Sequence, residues 1–95
     1  MKPAANYQFN EYAIPDYMGG GVDRYIEHGI EPGSFLSAVI CNDLFEAIGR
    51  ADEQNTRNLP AYCAYFYNEA PGACYGSKEA MKAWIEKGGI KGRTV

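Results

Sequence analysis

At 95 residues, with 46% apolar and 14% aromatic residues, the chain has the size of one domain and the composition of a globular one, which excludes a disordered segment or a second core. A net charge of −3 without any basic run argues against nucleic acid or an anionic membrane surface as a general partner. No apolar run approaches the ~20 residues that cross a bilayer. The start MKPAANYQFNEY lacks the apolar stretch of a secretion signal, so a soluble cytoplasmic protein is expected.

The first twenty residues show no helical period. Tyr7, Phe9, Tyr12, Ile14 and Tyr17 recur every two or three positions between the breakers Pro3 and Pro15, which predicts an extended aromatic arm over residues 1–20, with a short strand as an option, whose rings need something to pack on. MGGGVD then reads as a flexible joint or a close backbone approach. A short leading helix from Val22 to His28 follows, with Gly29 as its left-handed cap.

Pro32-Gly33 stops that segment and Ser34 is a good N-cap. From there Leu36, Ile40, Leu44, Ala47 and Ile48 share one helical face, predicting a single amphipathic helix of about four turns. Pro60 then admits two readings, a fresh helix near Leu59-Pro60 or one kinked helix, and a fresh start with Asn58 as its cap is preferred. From Ala61 to Ala70 the segment is apolar almost all round, which requires burial on several sides. The last helix has Ser77 as N-cap, Glu79 in its first turn, Lys87 in its last and Gly88-Gly89 as its stop.

The fold class that follows is all-α. It is a compact bundle of three main helices plus a short leading helix, with the aromatic arm over residues 1–20, the helical domain over 21–90 and a loose tail over 91–95. The helix from Ala61 sits at the centre. Two flanking helices and the arm can cover it, or a second subunit can, so a homo-oligomer is one of the outcomes.

Few residues point to chemistry. Cys41, Cys63, Cys74 and His28 reach the ligand count of a zinc site but not its close pairing, so no metal is expected and the thiols read as free and reduced. No paired carboxylates or nucleophile–base order emerges, so no catalytic residue is assigned and no cofactor is expected. His28 closes a helix, where a cationic ring suits the dipole, or else it stands at a pocket mouth. Asn42 and Asp43 interrupt an apolar run and need partners if that run is buried on both sides, with Arg50 among the candidates. Glu46 and Arg50 form a helix-surface pair worth about 0.2–0.5 kcal/mol.

Ser77 and Lys78 open the last helix, where an anion such as a phosphate could sit, although an ordinary N-cap also explains them. Tyr62, Cys63, Ala64 and Phe66 are assigned to the core. The hydroxyls of Tyr65, Tyr67 and Tyr75 need satisfying, and these three residues are assigned to a pocket wall or a subunit seam.

Two stretches, HGIEPGSFLSAVICNDLFEAIGRAD and LPAYCAYFYNEAPGACYGSKEAMKAW, carry the pattern HGI-x-PG-x-FL, NDL, AD, YN-x-AP and GS-x-E…W in that order. The pattern resembles short proteins encoded by tailed phages and prophages, over about Tyr25 to Trp84. The resemblance brings no functional residue with it. It implies a phage-type accessory protein of the bacterial cytoplasm, and such proteins counter host defences by binding a defence protein or by sequestering a nucleotide-like signal. The leading expectation is therefore a non-enzymatic counter-defence binding protein with Tyr65, Tyr67, Tyr75, Ser77, Lys78, Arg50, Asn42, Asp43 and His28 as its ligand-binding residues. The alternative is a structural or regulatory protein that makes protein–protein contacts through its aromatic arm.

Overall fold

Six helices follow a two-stranded hairpin in the computed structural model, which describes residues 2–92. The all-α class holds, with only four residues in strands. The arrangement of elements differs from the predicted one at both ends of the first half.

The N-terminal residues fold back on themselves. Strand β1 (Gln8–Phe9) pairs antiparallel with β2 (Tyr12–Ala13), Phe9 opposite Tyr12. Asn10, at φ 56, supplies the left-handed residue of the turn between them. The Asn6 N–H donates to the Ile14 carbonyl and the Ile14 N–H to the Tyr7 carbonyl, both at 2.9 Å. Residues expected to form an extended arm therefore close into a hairpin, because pairing satisfies their backbone while Ala4 and Ile14 enter the core.

Helix α1 (Asp16–His28) begins at Asp16 and not at Val22, so the triple glycine lies inside it. Each glycine weakens a helix by about 0.5–1 kcal/mol relative to alanine. Gly19 has a packing reason: a Cβ there would sit 2.4 Å from the Ala5 Cβ. Of the two readings of that stretch, close backbone approach describes this glycine.

The predicted four-turn helix is two helices, α2 (Ser34–Ile40) and α3 (Leu44–Arg50). Asn42 turns the chain at φ 63, and the Asp43 N–H bonds back to the Ala38 carbonyl at 2.9 Å. The Asp43 carboxylate then accepts the Glu46 N–H at 3.2 Å and starts α3 as a new N-cap. Local side-chain capping here overrides a continuous apolar period.

Helix α4 (Glu53–Arg57) is capped in the same way by Asp52, which accepts the Asn55 N–H at 2.8 Å. Helix α5 (Leu59–Glu69) begins afresh with Pro60 in its first turn, where a missing N–H costs nothing. Asn58 does not cap it through its side chain. Its amide instead accepts the Ala13 N–H at 3.0 Å and donates to the Gln54 carbonyl at 2.9 Å, tying the hairpin to α4. A 3₁₀ turn (Gly72–Cys74) leads to α6 (Lys78–Lys87), capped by Ser77 and closed at Gly88 with φ 87.

Helix α5 is the centre of the core. Ala61, Tyr62, Ala64, Tyr65 and Phe66 are buried. The Tyr62 ring meets Phe35 of α2 edge-on at 5.1 Å, and Tyr65 meets Tyr7 beside the hairpin at the same distance. The buried phenols have partners. Tyr62 donates to the Asn55 amide oxygen, Tyr65 to the Lys2 carbonyl and Tyr25 to the Cys74 carbonyl.

Helix α6 and the residues after it meet the last turn of α1. Trp84 of α6 donates its indole N–H to the carbonyls of Tyr25 and Ile26 at 3.1 and 3.2 Å. The Ile90 and Lys91 N–H groups donate to the carbonyls of Ile26 and Glu27 at 3.0 and 2.9 Å. Contact is close enough that a Cβ at Gly89 (φ 72) would lie 2.5 Å from the Glu27 carbonyl carbon. Lys91 is thus held to α1, while residues 93–95 of the expected loose tail lie outside the described residues.

Candidate functional site

The break between α2 and α3 leaves an open groove of about 660 Å³ beside α5. Its floor is the outer face of α5, from Pro60 through Cys63 and Ala64 to Tyr67 and Asn68. Val39 and Asn42 at the α2–α3 corner form one wall. Phe9, from the hairpin, and Tyr75-Gly76, ahead of α6, complete it. A shallow depression of about 50 Å³ adjoins it, sharing Val39, Asn42 and Cys63 and adding Leu44, Ala47 and Leu59 of the α3–α5 contact.

No residue lining the groove carries a charge. Cys63 is the one titratable side chain on its floor besides the phenols, and desolvation pushes its thiol pKa up although the residue is exposed, so it stays protonated at neutral pH. The polar groups are the amides of Asn42 and Asn68 and the phenols of Tyr67 and Tyr75. Among the described residues the Asn42 and Asn68 side chains make no hydrogen bond. The groove is therefore apolar, with a few uncommitted donors and acceptors at its edges, the pattern of a recognition surface.

The sequence-assigned residues scatter. Asn42, Tyr67 and Tyr75 line the groove, and Asp43 lines the adjoining depression while capping α3. Tyr65 is fully buried, against its assignment to a pocket wall, because its hydroxyl finds the Lys2 carbonyl inside the fold. Cys63 makes the opposite exchange, from assigned core to exposed groove floor. Arg50 does not reach Asn42, since the two no longer share a helix, and it pairs with Glu46 at 2.6 Å. Ser77 caps α6 by accepting the Ala80 N–H at 3.0 Å, and Lys78 beside it is exposed. His28 is exposed in the last turn of α1, where its ring stands at the helix C-terminus.

Cys41 faces Met81 at 3.5 Å and Cys74 is buried, with its thiol pushed up to about 11 by desolvation. Among the described residues no three His, Cys, Asp or Glu side chains gather as ligands for a metal ion. No helix among them is long and apolar enough to cross a membrane.

Beside the groove, α3 turns its apolar side to water. Leu44, Phe45 and Ile48 are 59%, 90% and 44% exposed, and only Ala47 of this helix is buried. The helical period puts Leu44 and Ile48 on one face with Leu36 and Ile40, and the turn at Asn42 separates them from it. Comparison with protein-family models, curated proteins and solved structures returns no match for this chain.

Proposed function

We propose that this is a non-enzymatic binding protein that acts through contact with another protein chain, made at the groove on the outer face of α5. The observation that carries the reading is the groove's uncharged, aromatic lining. A nucleotide-like signal would bring phosphates, which require cations or unpaired backbone N–H groups to replace their water. No arginine or lysine lines the groove, Arg50 and Lys78 included. Apolar and aromatic side chains of a protein lose nothing by entering such a site, and Tyr67 and Tyr75 add contact area with hydroxyls at the edge.

Within the phage-type context implied by the resemblance, this favours a factor that inhibits a host defence protein over one that sequesters a nucleotide. The groove contains a hairpin residue, Phe9, so the N-terminal aromatics contribute one wall of the surface without being the whole of it.

A random peptide library displayed on phage and panned against sparsely immobilised protein tests the reading. Enriched peptides should carry aromatic and large aliphatic residues and should lose binding by at least tenfold on Tyr67→Glu. Peptides indifferent to Tyr67→Glu would overturn it. So would a cyclic dinucleotide or ADP-ribose derivative that raises the melting temperature of the wild type but not of Tyr67→Glu.

A further inference from the structure

Packing explains only the first of the three glycines inside α1. Gly19 makes room for Ala5, whereas Gly20 is exposed and Gly21 half-buried, on a helix that alanine would serve better. What these two make room for is Arg24. A Cβ on Gly20 would lie 2.9 Å from Nη1 of its guanidinium, and a Cβ on Gly21 4.0 Å from Nη2. The guanidinium is thus folded back along α1 over the glycine pair. Arg24 and Gly21 both line a second hollow, of about 440 Å³, which shares no residue with the groove on α5. That volume falls within the range of about 300–1,000 Å³ that small-molecule sites occupy.

Three polar groups of this hollow are unused by the fold. The side chains of Arg24 and Glu31 both line it, and neither forms a hydrogen bond or ion pair with the other or with any described residue. The third group is the side-chain nitrogen of Asn55, the one buried polar residue among the described residues, at 4% exposed. The Asn55 side-chain oxygen accepts the Tyr62 hydroxyl, but the nitrogen has no partner among the described residues. No fully enclosed side-chain nitrogen or oxygen among them lacks a partner, so this nitrogen keeps an opening, and the hollow that Asn55 lines is where it opens. Tyr17 lines the hollow with its phenol donating to Asp52 at 2.5 Å, and Met18, Ile30, Phe35 and Leu36 add apolar surface.

This lining sets the chemistry of the ligand. Its charged side chains are one cation and one anion, Arg24 and Glu31. A simple anion is repelled by Glu31 and a simple cation by Arg24. A nucleotide brings several negative charges to a site with a single cation. A zwitterion satisfies both side chains. We propose that this hollow binds a free α-amino acid with an apolar side chain, its carboxylate on Arg24 and the Asn55 amide, its ammonium on Glu31 and its side chain against Met18, Phe35 and Leu36. Gly20 and Gly21 are there to let the guanidinium lie in place. The site is independent of the docking groove, and neither reading needs the other.

Isothermal titration calorimetry of the full chain with L-leucine and L-phenylalanine is the test. Saturable binding below about 10 mM is expected. Leucinamide, which lacks the carboxylate, and N-acetyl-leucine, which lacks the ammonium, should each bind about tenfold more weakly or worse. Arg24→Gln should weaken leucine to the level of leucinamide without weakening leucinamide further. Glu31→Gln should do the same with respect to N-acetyl-leucine. Both residues are exposed, and circular dichroism establishes that each variant is folded.

Gly20→Ala gives a sharper result. Alanine is the better helix former, so the melting temperature should hold or rise, yet displacing the guanidinium should weaken leucine severalfold. No binding of either amino acid by 10 mM would overturn the proposal, and so would an affinity unchanged by Arg24→Gln and Glu31→Gln. Tighter binding of adenosine monophosphate, or of a peptide blocked at both ends, would overturn it too. None of these outcomes touches the α5 groove, whose own test turns on Tyr67.

Discussion

Helices α5 and α3 are both rich in apolar residues, yet the fold treats them in opposite ways. Helix α5 packs its inner side on the hairpin, α2 and the segment before α6, burying Ala61, Tyr62, Ala64, Tyr65 and Phe66, and leaves Cys63, Tyr67 and Asn68 to the groove. Helix α3 is anchored by Ala47 alone and leaves Leu44, Phe45 and Ile48 in water. An apolar pattern by itself does not say where a helix sits. What decides it here is how the preceding turn aims the helix, and the α2–α3 corner at Asn42 aims α3 across the surface.

Substitutions should separate the two helices. Tyr65→Ala removes a fully buried ring that packs on Tyr7 and Phe66, and should destabilise the fold by about 3–5 kcal/mol in urea titration. A loss under 1 kcal/mol would break the contrast, because Tyr65 would then not be a core residue. Tyr62→Phe keeps the ring but withdraws the hydroxyl from the buried Asn55 amide, and should cost about 1–3 kcal/mol by the same measurement.

Alkali should act on the same region. Burial raises the thiol of Cys74 from 9.0 to about 11 and the phenol of Tyr65 from 10.0 to about 12, and it raises Tyr25 and Tyr62 as well. The protonated forms are the ones the fold accommodates. Their stability contribution is therefore complete below the ordinary values and is lost as pH rises through the raised ones. Chemical denaturation followed from pH 8 to 12 should show a decline that begins above about pH 9 and steepens beyond 10. A flat profile would mean that these groups are open to solvent.

The smallest effect belongs to α3. Phe45→Ser, measured at concentrations where the chain is monomeric, should change stability by no more than about 0.5 kcal/mol, since the ring is 90% exposed. A loss comparable to that of Tyr65→Ala would erase the difference between the helices.

Much of the local structure was legible in the chain because it depends on residues adjacent in sequence. Ser77, Gly29 and Gly88 mark helix ends where capping chemistry predicts them, and Pro60 opens α5. The α2–α3 break was legible too, though the apolar period masked it. Asp43 followed three residues later by Glu46 has the D-x-x-E spacing of a helix start. A short strand is an option the N-terminal sequence allows, but its pairing into a hairpin is not legible there, because it spans only two residues per strand and needs α5 to lie on.

The candidate site was less legible for a geometric reason. Helix α5 is apolar almost all round, so composition could not say which of its residues face inward. Tyr65 and Cys63 exchanged their expected places on that account, and Phe9 reached the groove through a turn that periodicity does not register.

The junction where Trp84, Ile90 and Lys91 meet the carbonyl end of α1 is a clasp between distant segments, Trp84 lying 59 and 58 residues beyond the two carbonyls it reaches. The indole and the two amides occupy oxygens that a helix cannot satisfy within its own last turn. Opening the clasp would therefore uncap α1 and release α6 in one step, so the two helices should lose protection against hydrogen exchange together.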